Sequence, residues 1–256
     1  MVALVTGATS GIGLECARKL ARDCHGARIF LVARNEVKLR RTAQELQNMG
    51  ARAEFIQADL SDEEDVWRVY KKTRDFHVMF LVNAAGAGAY GPFLQTDPER
   101  DMELIRLNVS SLHLLTKLFL RDMVERDEGI ILNIASSAGF MAGPYFSGYY
   151  ASKNYVVRLT EAIHEELRRS HSQVRITALC PGPVATDFDK NAGVKKSMRG
   201  LSPAYVAAYG IRAAQKGRML AVPGFSMRLS LILSKPLPDG LMVRMTGSIQ
   251  RRKAGR

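Results

Sequence analysis

Tyr149 and Lys153 lie four residues apart at the end of the run Asn133–Lys153, N-I-A-S-S-A-G-F-M-A-G-P-Y-F-S-G-Y-Y-A-S-K. On a helix this spacing stacks the two side chains on one face. An ammonium beside a phenol favours the phenolate and lowers a tyrosine pKa from its usual value of about 10. The result is a proton donor usable near neutral pH, as reduction of a carbonyl or oxidation of an alcohol requires. Ser136, thirteen residues before Tyr149 at a strand end, is placed to give the same oxygen a second hydrogen bond. Chance also puts Tyr and Lys at this spacing on ordinary half-exposed helices, so the surrounding elements must decide.

The first of these elements reads V-A-L-V-T-G-A-T-S-G-I-G and runs on into L-E-C-A-R-K-L-A-R. A short apolar strand, Val2 to Thr6, meets a glycine-rich turn and then a helix with Ile12, Cys16, Ala17 and Leu20 on one side. Gly7, Gly11 and Gly13 let the backbone turn tightly and approach a pyrophosphate at the helix N-terminus, with Thr9, Ser10 and Ile12 completing the turn. A second strand, Ile29–Ala33, ends at Arg34. An NAD site wants an acid there for the ribose hydroxyl, whereas Arg can grip a 2′-phosphate, so the expected dinucleotide is NADP.

The alternation continues. A strand over 53–57 leads to Asp59 and Leu60, and a helix over 62–72 has Ser61 as its expected N-cap and Glu64 in the capping-box position. The apolar run Val78–Val82 precedes N-A-A-G at Asn83–Gly86. A long helix over 98–123 carries Asn108 among apolar Leu104, Ile105, Leu112 and Leu115, which points its side chain inward. After the strand Ile130–Ile134, the loop and the Tyr149 helix to about Ser170, a strand over 174–179 enters C-P-G-P-V-A-T-D, with Pro181, Gly182, Val184 and Thr186. Strands alternating with helices predict an α/β fold, a doubly wound parallel sheet of Rossmann type. Such sheets bind ligands beyond the carboxyl ends of their strands.

At 256 residues, 46% apolar and 24% charged, the chain suits one large domain. The expected organisation is a catalytic and cofactor-binding domain over 1–224 and a basic amphipathic extension over 225–256. No apolar run reaches the length of a membrane-spanning helix. The N-terminus enters a strand with no basic-then-apolar leader. Cys16, Cys24 and Cys180 are too few and too irregular for a disulfide framework or a zinc site. A cytoplasmic location is therefore expected. The net charge of +12 is uneven: residues 216–256 hold nine Lys or Arg against Asp239 alone.

Taken together, these residues resemble the short-chain dehydrogenases/reductases, in the single-domain branch with T-G-x-x-x-G-x-G and Y-x-x-x-K. The resemblance spans about residues 1–224 and rests on Thr6–Gly13, Asp59, N-A-A-G, Asn108, Ser136 with Tyr149 and Lys153, and P-G-P-V-A-T. It implies that Tyr149 is the general acid of reduction and that Lys153 bonds the nicotinamide ribose. It further implies that Ser136 orients the carbonyl, Asn108 holds a relay water, Thr186 lies near the carboxamide, and Asp59 and Asn83 frame the adenosine. The implied activity is NADP(H)-dependent interconversion of a carbonyl and a secondary alcohol. The alternative is a non-catalytic NADP-binding scaffold or sensor on the same fold. Many members end soon after their last strand with V-D-G-G. Here Leu220–Val222 is followed by Pro223, Gly224 and some thirty more residues. A homo-oligomer is expected, but a tetramer built on that strand is in doubt.

Other chemistries find little support. His164 and His171 lack the spacing of a helical zinc pair and read as solvated, and no metal site is expected. No phosphate loop of the G-x-x-x-x-G-K-[ST] type occurs. The basic tail offers only Phe225 among aromatics, so no nucleic-acid role follows. Met227, Leu229, Ile232, Leu233, Leu241, Met245 and Ile249 recur at helical spacing beside Arg228, Lys235, Arg244, Arg251 and Arg252. That pattern fits a helix packed over the cleft or a second subunit better than peripheral contact with an anionic membrane. Tyr90, Phe93, Phe140, Met141, Tyr145, Phe146 and Phe188 are expected to wall the cleft, with 187–201 as a lid hinged at Gly193 and Gly200. Asp187, Asp189 and Lys190, at the start of the lid, are placed to face water. The expected substrate is hydrophobic: a steroid, a fatty acyl chain or an aryl ketone.

Overall fold

A computed structural model describes residues 1–195, 199–234 and 236–253, excluding the side chains of 252 and 253. Seven strands form one parallel sheet: β1 (Val2–Thr6), β2 (Arg28–Ala33), β3 (Arg52–Gln57), β4 (Phe80–Asn83), β5 (Ile130–Ile134), β6 (Arg175–Leu179) and β7 (Leu220–Ala221). Their order across the sheet is β3-β2-β1-β4-β5-β6-β7, so the chain reverses its direction of winding between β1 and β4. A crevice opens at that switch point, beyond the strand ends.

Side-chain alternation along the strands explains why both faces are covered. Ala3 and Val5 of β1, with Ile29 and Leu31 of β2, point to one face. There they meet α1 (Gly11–Asp23), α2 (Glu36–Asn48) and α8 (Pro203–Gln215) through Cys16, Leu20, Leu39, Leu46, Val206 and Ile211. Leu4, Phe30 and Val32 point to the other face, against Val69, Tyr70, Phe119 and Leu167 of α3 (Glu63–Thr73), α5 (Leu112–Arg126) and α6 (Ser147–Arg169). A strand buried on both sides must be apolar at every position, as β1 and β2 nearly are.

The expected helix over 98–123 is α4 (Pro98–Ile105), a π-helical stretch over Arg106–Ser111, and then α5. Asn108 lies inside the π stretch and is 1% exposed. The α3 cap differs from expectation. Asp62 is the N-cap and accepts from Glu64 N at 3.0 Å, whereas Ser61 bonds the Asp59 carboxylate. Asp caps as well as Ser, and the adjacent Asp59 takes the Ser61 hydroxyl. His164 is half-buried, with Nδ1 3.2 Å from the Ile176 carbonyl, and is not a solvated residue.

After β6 come α7 (Phe188–Asn191) and α8, and after β7 come α9 (Phe225–Ser234) and α10 (Asp239–Lys253). The segment over 187–201 is closed at its base, where Leu201 N donates to Pro183 O and Ala185 N to Leu201 O. Gly200 is a packing position and not a hinge, because a Cβ there would meet the Val184 backbone at 2.5 Å. Part of the expected lid, 196–198, lies outside the described residues, as do Lys235 and the Arg252 side chain. Among the described residues no helix is long and apolar enough to cross a membrane.

Candidate active site

Two loops meet at the switch point. Thr6, the last residue of β1, turns its hydroxyl toward β4, and Oγ1 accepts from Ala84 N at 2.9 Å and Ala85 N at 3.0 Å. This fastens N-A-A-G against the glycine turn, and the approach is close. Gly7 has φ +62°, and a Cβ on it would lie 2.8 Å from the Ala84 carbonyl oxygen. Gly11, at φ +54°, faces Thr186. At the start of α1, Ser10 is the N-cap but makes no side-chain cap bond, and no acid occupies the first turn. The amides of that turn are therefore free for an anion, and Ser10, Gly11, Ile12 and Gly13 line the crevice. These residues fit a dinucleotide pyrophosphate.

The crevice, about 410 Å³, runs from this turn to the catalytic candidates. Ser136, Tyr149, Lys153, Pro181, Gly182, Val184 and Thr186 all line it. A polar network under the sheet ends holds them in place. Asn83 and Asn133 are partners in the β4–β5 register. Asn83 Nδ2 donates to Asn133 Oδ1 at 2.9 Å and to Thr116 at 3.1 Å, and Asn133 Nδ2 donates to Thr160 of α6 at 3.1 Å. The Asn83 amide nitrogen is thus spent on joining strands to helices, its Oδ1 has no partner among the described residues, and the side chain does not line the crevice where an adenosine contact was expected. Asn154 donates to the carbonyls of Ala138 and Met141, both at 3.0 Å, and pins the loop after Ser136 onto α6. Gly139 permits that contact, since a Cβ there would lie 2.7 Å from the Lys153 carbonyl oxygen.

Tyr149 stacks on Phe146 with ring centres 4.7 Å apart and has Phe188 at 5.1 Å. These apolar surroundings push its pKa up to about 12, opposed by the Ser136 hydroxyl facing the phenol. The expected lowering by Lys153 is absent. Lys153 Nζ is 5.8 Å from the Tyr149 ring centre and donates instead to the Ile134 carbonyl at 2.8 Å. Burial pulls the Lys153 pKa down to about 8, so this ammonium is itself poised to exchange a proton near neutrality.

Asn108 points inward as expected. Its Oδ1 accepts from Ala87 N at 2.9 Å, and Nδ2 donates to Ala87 O at 2.9 Å and to Ser152 at 3.0 Å. Both amide protons are used, so Asn108 anchors the loop after N-A-A-G to α6 and leaves no side-chain donor for a relay water. A Cβ on Gly86 would lie 3.2 Å from Asn108 Oδ1 and 3.7 Å from Lys153 Nζ, so Gly86 is the spacer between the two.

Arg34, Asp59, Leu60 and Thr9 do not line this crevice; Asp59 and Leu60 line a second hollow beside Tyr155 and His113. Arg34 is exposed at the end of β2. Its Nη1 is 3.0 Å from Glu103 and 3.8 Å from Asp59, so the carboxylate missing from the sequence position is supplied in space by α4.

The walls also differ from expectation. Of the seven expected residues, only Phe146 and Phe188 line the crevice. Phe93 is 69% exposed, and Phe140 packs against Val156 and Val157 in the core. Asp187, Asp189 and Asn191 line the crevice instead of facing away from it. The remaining wall comes from Met227 of α9 and from Ile249 and Gln250 of α10. Met227 and Ile249 belong to the stripe expected to pack over the cleft, and both do line it, whereas sequence reasoning missed Gln250, Tyr150 and Asn154. Only the adjacency of Tyr150 to Tyr149 could have signalled any of them. The extension is seated through Thr246, which donates to the Ala142 carbonyl at 2.8 Å, and through Gly247 on Pro144.

An anion cradle continuous with a proton-holding tyrosine suits hydride exchange with a bound nicotinamide dinucleotide, and the protein is an oxidoreductase of that class. It belongs to the short chain dehydrogenase family, whose pattern residues 1–197 match. A granaticin polyketide synthase putative ketoacyl reductase from Streptomyces violaceoruber is 40% identical over 190 residues, which are 72% of this chain and 68% of that one. A short-chain dehydrogenase from Sphingobium yanoikuyae in complex with NADPH superposes with a TM-score of 0.81 at 28% identity, covering 94% of each chain. One from Burkholderia phymatum in complex with NAD gives 0.82 at 26% identity, covering 92% of each.

Proposed function

We propose that this protein reduces the carbonyl of a largely apolar substrate to a secondary alcohol, with NADPH as the cofactor. The observation that carries the reading is Tyr149 itself. Its phenol is enclosed by Phe146 and Phe188, faces Ser136, and opens on the crevice that begins at the glycine turn. With its pKa up to about 12, Tyr149 keeps its proton throughout the neutral range, the state a general acid needs. As negative charge develops on the carbonyl oxygen, Ser136 donates a hydrogen bond and Tyr149 transfers its proton. Lys153, with a pKa near 8, lies beneath the same ring and can restore that proton. The cofactor, when bound, supplies the hydride. Gly11, Ile12 and Gly13 would hold its pyrophosphate, and Thr186 and Lys153 its nicotinamide end.

Arg34 supports NADP over NAD, because a 2′-phosphate offers it a stronger charge-assisted partner than an exposed carboxylate. The ketoacyl reductase named above supports carbonyl reduction, and the NADPH and NAD complexes support either dinucleotide. Asp187, Asp189 and Asn191 in the lining favour a substrate with a polar end over a purely hydrocarbon one. The test is NADPH consumption against a panel of ketones, comparing wild type with Tyr149→Phe. Loss of turnover with retained NADPH binding supports the reading. Activity of Tyr149→Phe within about tenfold of wild type would refute it, since a positioned acid contributes roughly 10²–10⁴-fold. A protein that binds NADPH and reduces nothing would be a scaffold.

A further inference from the structure

All of the chain's excess positive charge lies beyond Asp189. Residues 190–256 hold 14 Lys or Arg against Asp239 alone, whereas residues 1–189 hold 23 against 24 acids. Among the described residues, Lys190, Arg199, Arg218, Arg228 and Arg244 are exposed, and the ion pairs all fall between Glu15 and Arg169. These cations therefore have no carboxylate partner there. Exposed apolar surface accompanies the charge. Met227 and Leu231, one turn apart on α9, face inward, with Met227 seated on Gly182. Phe225, Leu229 and Ile232 recur at i, i+4 and i+7 on the opposite face, with Leu233 beside them. Phe225 is 81% exposed, Leu233 63% and Ile232 54%. Thus α9 is apolar all round, a composition that belongs to a covered helix, yet one face is open. The arrangement repeats on α10: Thr246 and Gln250 are buried, while Leu241 and Met245, one turn apart, are exposed beside Arg244. Single apolar residues on a surface are ordinary, but a stripe at helical spacing marks a contact surface.

We propose that the outer face of the C-terminal extension docks on an anionic membrane surface. Phe225, Leu229, Ile232 and Leu233 enter the headgroup region, and the cations beyond Asp189 are held by the lipid charge. The combination of stripe and charge selects this occupant. A second copy of the chain would bring another 14 cations against these. A polyanion such as a nucleic acid would answer the charge and leave the stripe in water. An anionic bilayer answers both, since its headgroups attract cations and its acyl boundary takes up apolar side chains. The extension lies on the bilayer and does not span it, because no described helix is long and apolar enough to cross. The assignment is independent of the reading of the crevice: α9 gives Met227 to the crevice, and its four outer residues face solvent.

The test uses the full chain and vesicles of phosphatidylcholine, alone or with about 30 mol% phosphatidylglycerol, with bound protein read by co-sedimentation. Wild type should bind the anionic vesicles at least about tenfold more tightly than the neutral ones in about 0.1 M salt. That preference should fall by about tenfold or more in about 0.5 M salt, where the lipid charge is screened. The double variant Phe225→Ser/Ile232→Ser should bind the anionic vesicles about tenfold or more weakly, with its melting temperature and dinucleotide binding unchanged. Phe225→Ser alone, at the most exposed of these positions, should lose about threefold and serves if the pair disturbs the fold. Equal binding to both vesicle types, or none, overturns the proposal on wild type alone. Wild-type affinity in a folded double variant would mean adhesion by charge without the stripe and would overturn it too. A dimer in light scattering that the double variant dissolves would give the stripe to a second copy and remove the membrane from the account.

Discussion

Replacing Asn108 with alanine should cost stability before it costs chemistry. The side chain makes three hydrogen bonds, two of them to the N–H and C=O of Ala87 and one to Ser152. Truncation strands both backbone groups of Ala87 beside a residue that is 1% exposed. A stranded, fully buried polar group costs about 1–3 kcal/mol; Ala87 is half-buried, so the two together should cost roughly 2–4 kcal/mol. With a urea slope of about 2–3 kcal/mol/M, the unfolding midpoint should drop by on the order of 1–2 M. Ser152→Ala removes one of the three bonds and should cost only about 1 kcal/mol. Because Ser152 and Asn108 share a bond, the double variant should fall short of the sum. Urea unfolding of the purified protein, followed by circular dichroism, measures all three. An Asn108→Ala midpoint within about 0.2 M of wild type would show that water takes over these bonds. The anchoring role would then be wrong, and a direct part in proton transfer would be the better account.

Four further outcomes follow from the geometry. Arg34→Ala should weaken NADP binding by about 1.5–3 kcal/mol and leave NAD nearly untouched; equal weakening would mean that Arg34 reads no 2′-phosphate. Glu103→Gln should tighten NADP a few-fold by freeing Arg34 from an exposed pair, a bond worth about 0.2–1 kcal/mol, and a loss of affinity would reverse that assignment. Gly7→Ala should lower the melting temperature and weaken dinucleotide binding, since φ +62° costs an L-residue about 1–2 kcal/mol and its Cβ would lie 2.8 Å from Ala84 O; a neutral effect would show that the turn can relax. The Lys153 pKa is depressed to about 8, against about 10.4 in an unfolded chain, so the cost of burying its charge is full below pH 8 and vanishes above 10.4. Wild type should therefore gain stability relative to Lys153→Met as pH rises from 8 to 10, as denaturant midpoints would show; a constant difference would place the Lys153 pKa elsewhere.

The parallel sheet was legible because a strand buried on both faces has to be apolar throughout, and short apolar runs between helical segments have few other solutions. Gly7, Gly11 and Gly13 were legible for a related reason: backbone closeness leaves a residue-type signature. Roles assigned through a motif fared less well when the side chain had other uses. Asn83 stands in N-A-A-G where an adenosine contact was expected, yet its amide nitrogen is taken by Thr116 and Asn133 beneath the crevice. The Lys153 ammonium was expected to lower the Tyr149 pKa, but the distance and the Ile134 carbonyl leave burial in control. Arg34 looked free of acids along the chain and meets Glu103 across 69 residues. The aromatic wall misled because hydrophobicity says that a side chain leaves water without saying whether it faces a cleft or the core, and Phe140 chose the core.

The make-up of the crevice explains why its floor could be read from the sequence and its cover only in part. Hydride exchange needs a cradle at the end of β1, a tyrosine one loop from β5 and a lysine one turn on. All of these are local to strand ends and keep fixed spacings in the chain. The cover over the crevice is joined from pieces with no such spacing: Tyr90 after β4, Tyr150 on α6 and Gln250 on α10, the last of these 100 residues beyond Tyr150. Nothing in the helical periodicity of the tail marks Gln250, because the apolar stripe only seats the helix, and the two polar residues that α10 buries, Thr246 and Gln250, interrupt that stripe. Among the exposed apolar residues Phe225, Leu229, Ile232 and Leu233 of α9, none reaches the crevice, whereas Met227 on the same helix does. The extension thus has an inner face, Met227, Ile249 and Gln250, that lines the crevice. Changes on that face, at Met227, Ile249 or Gln250, should alter which ketones are taken while leaving the Tyr149 acid, and hence the pH dependence of the chemical step, in place.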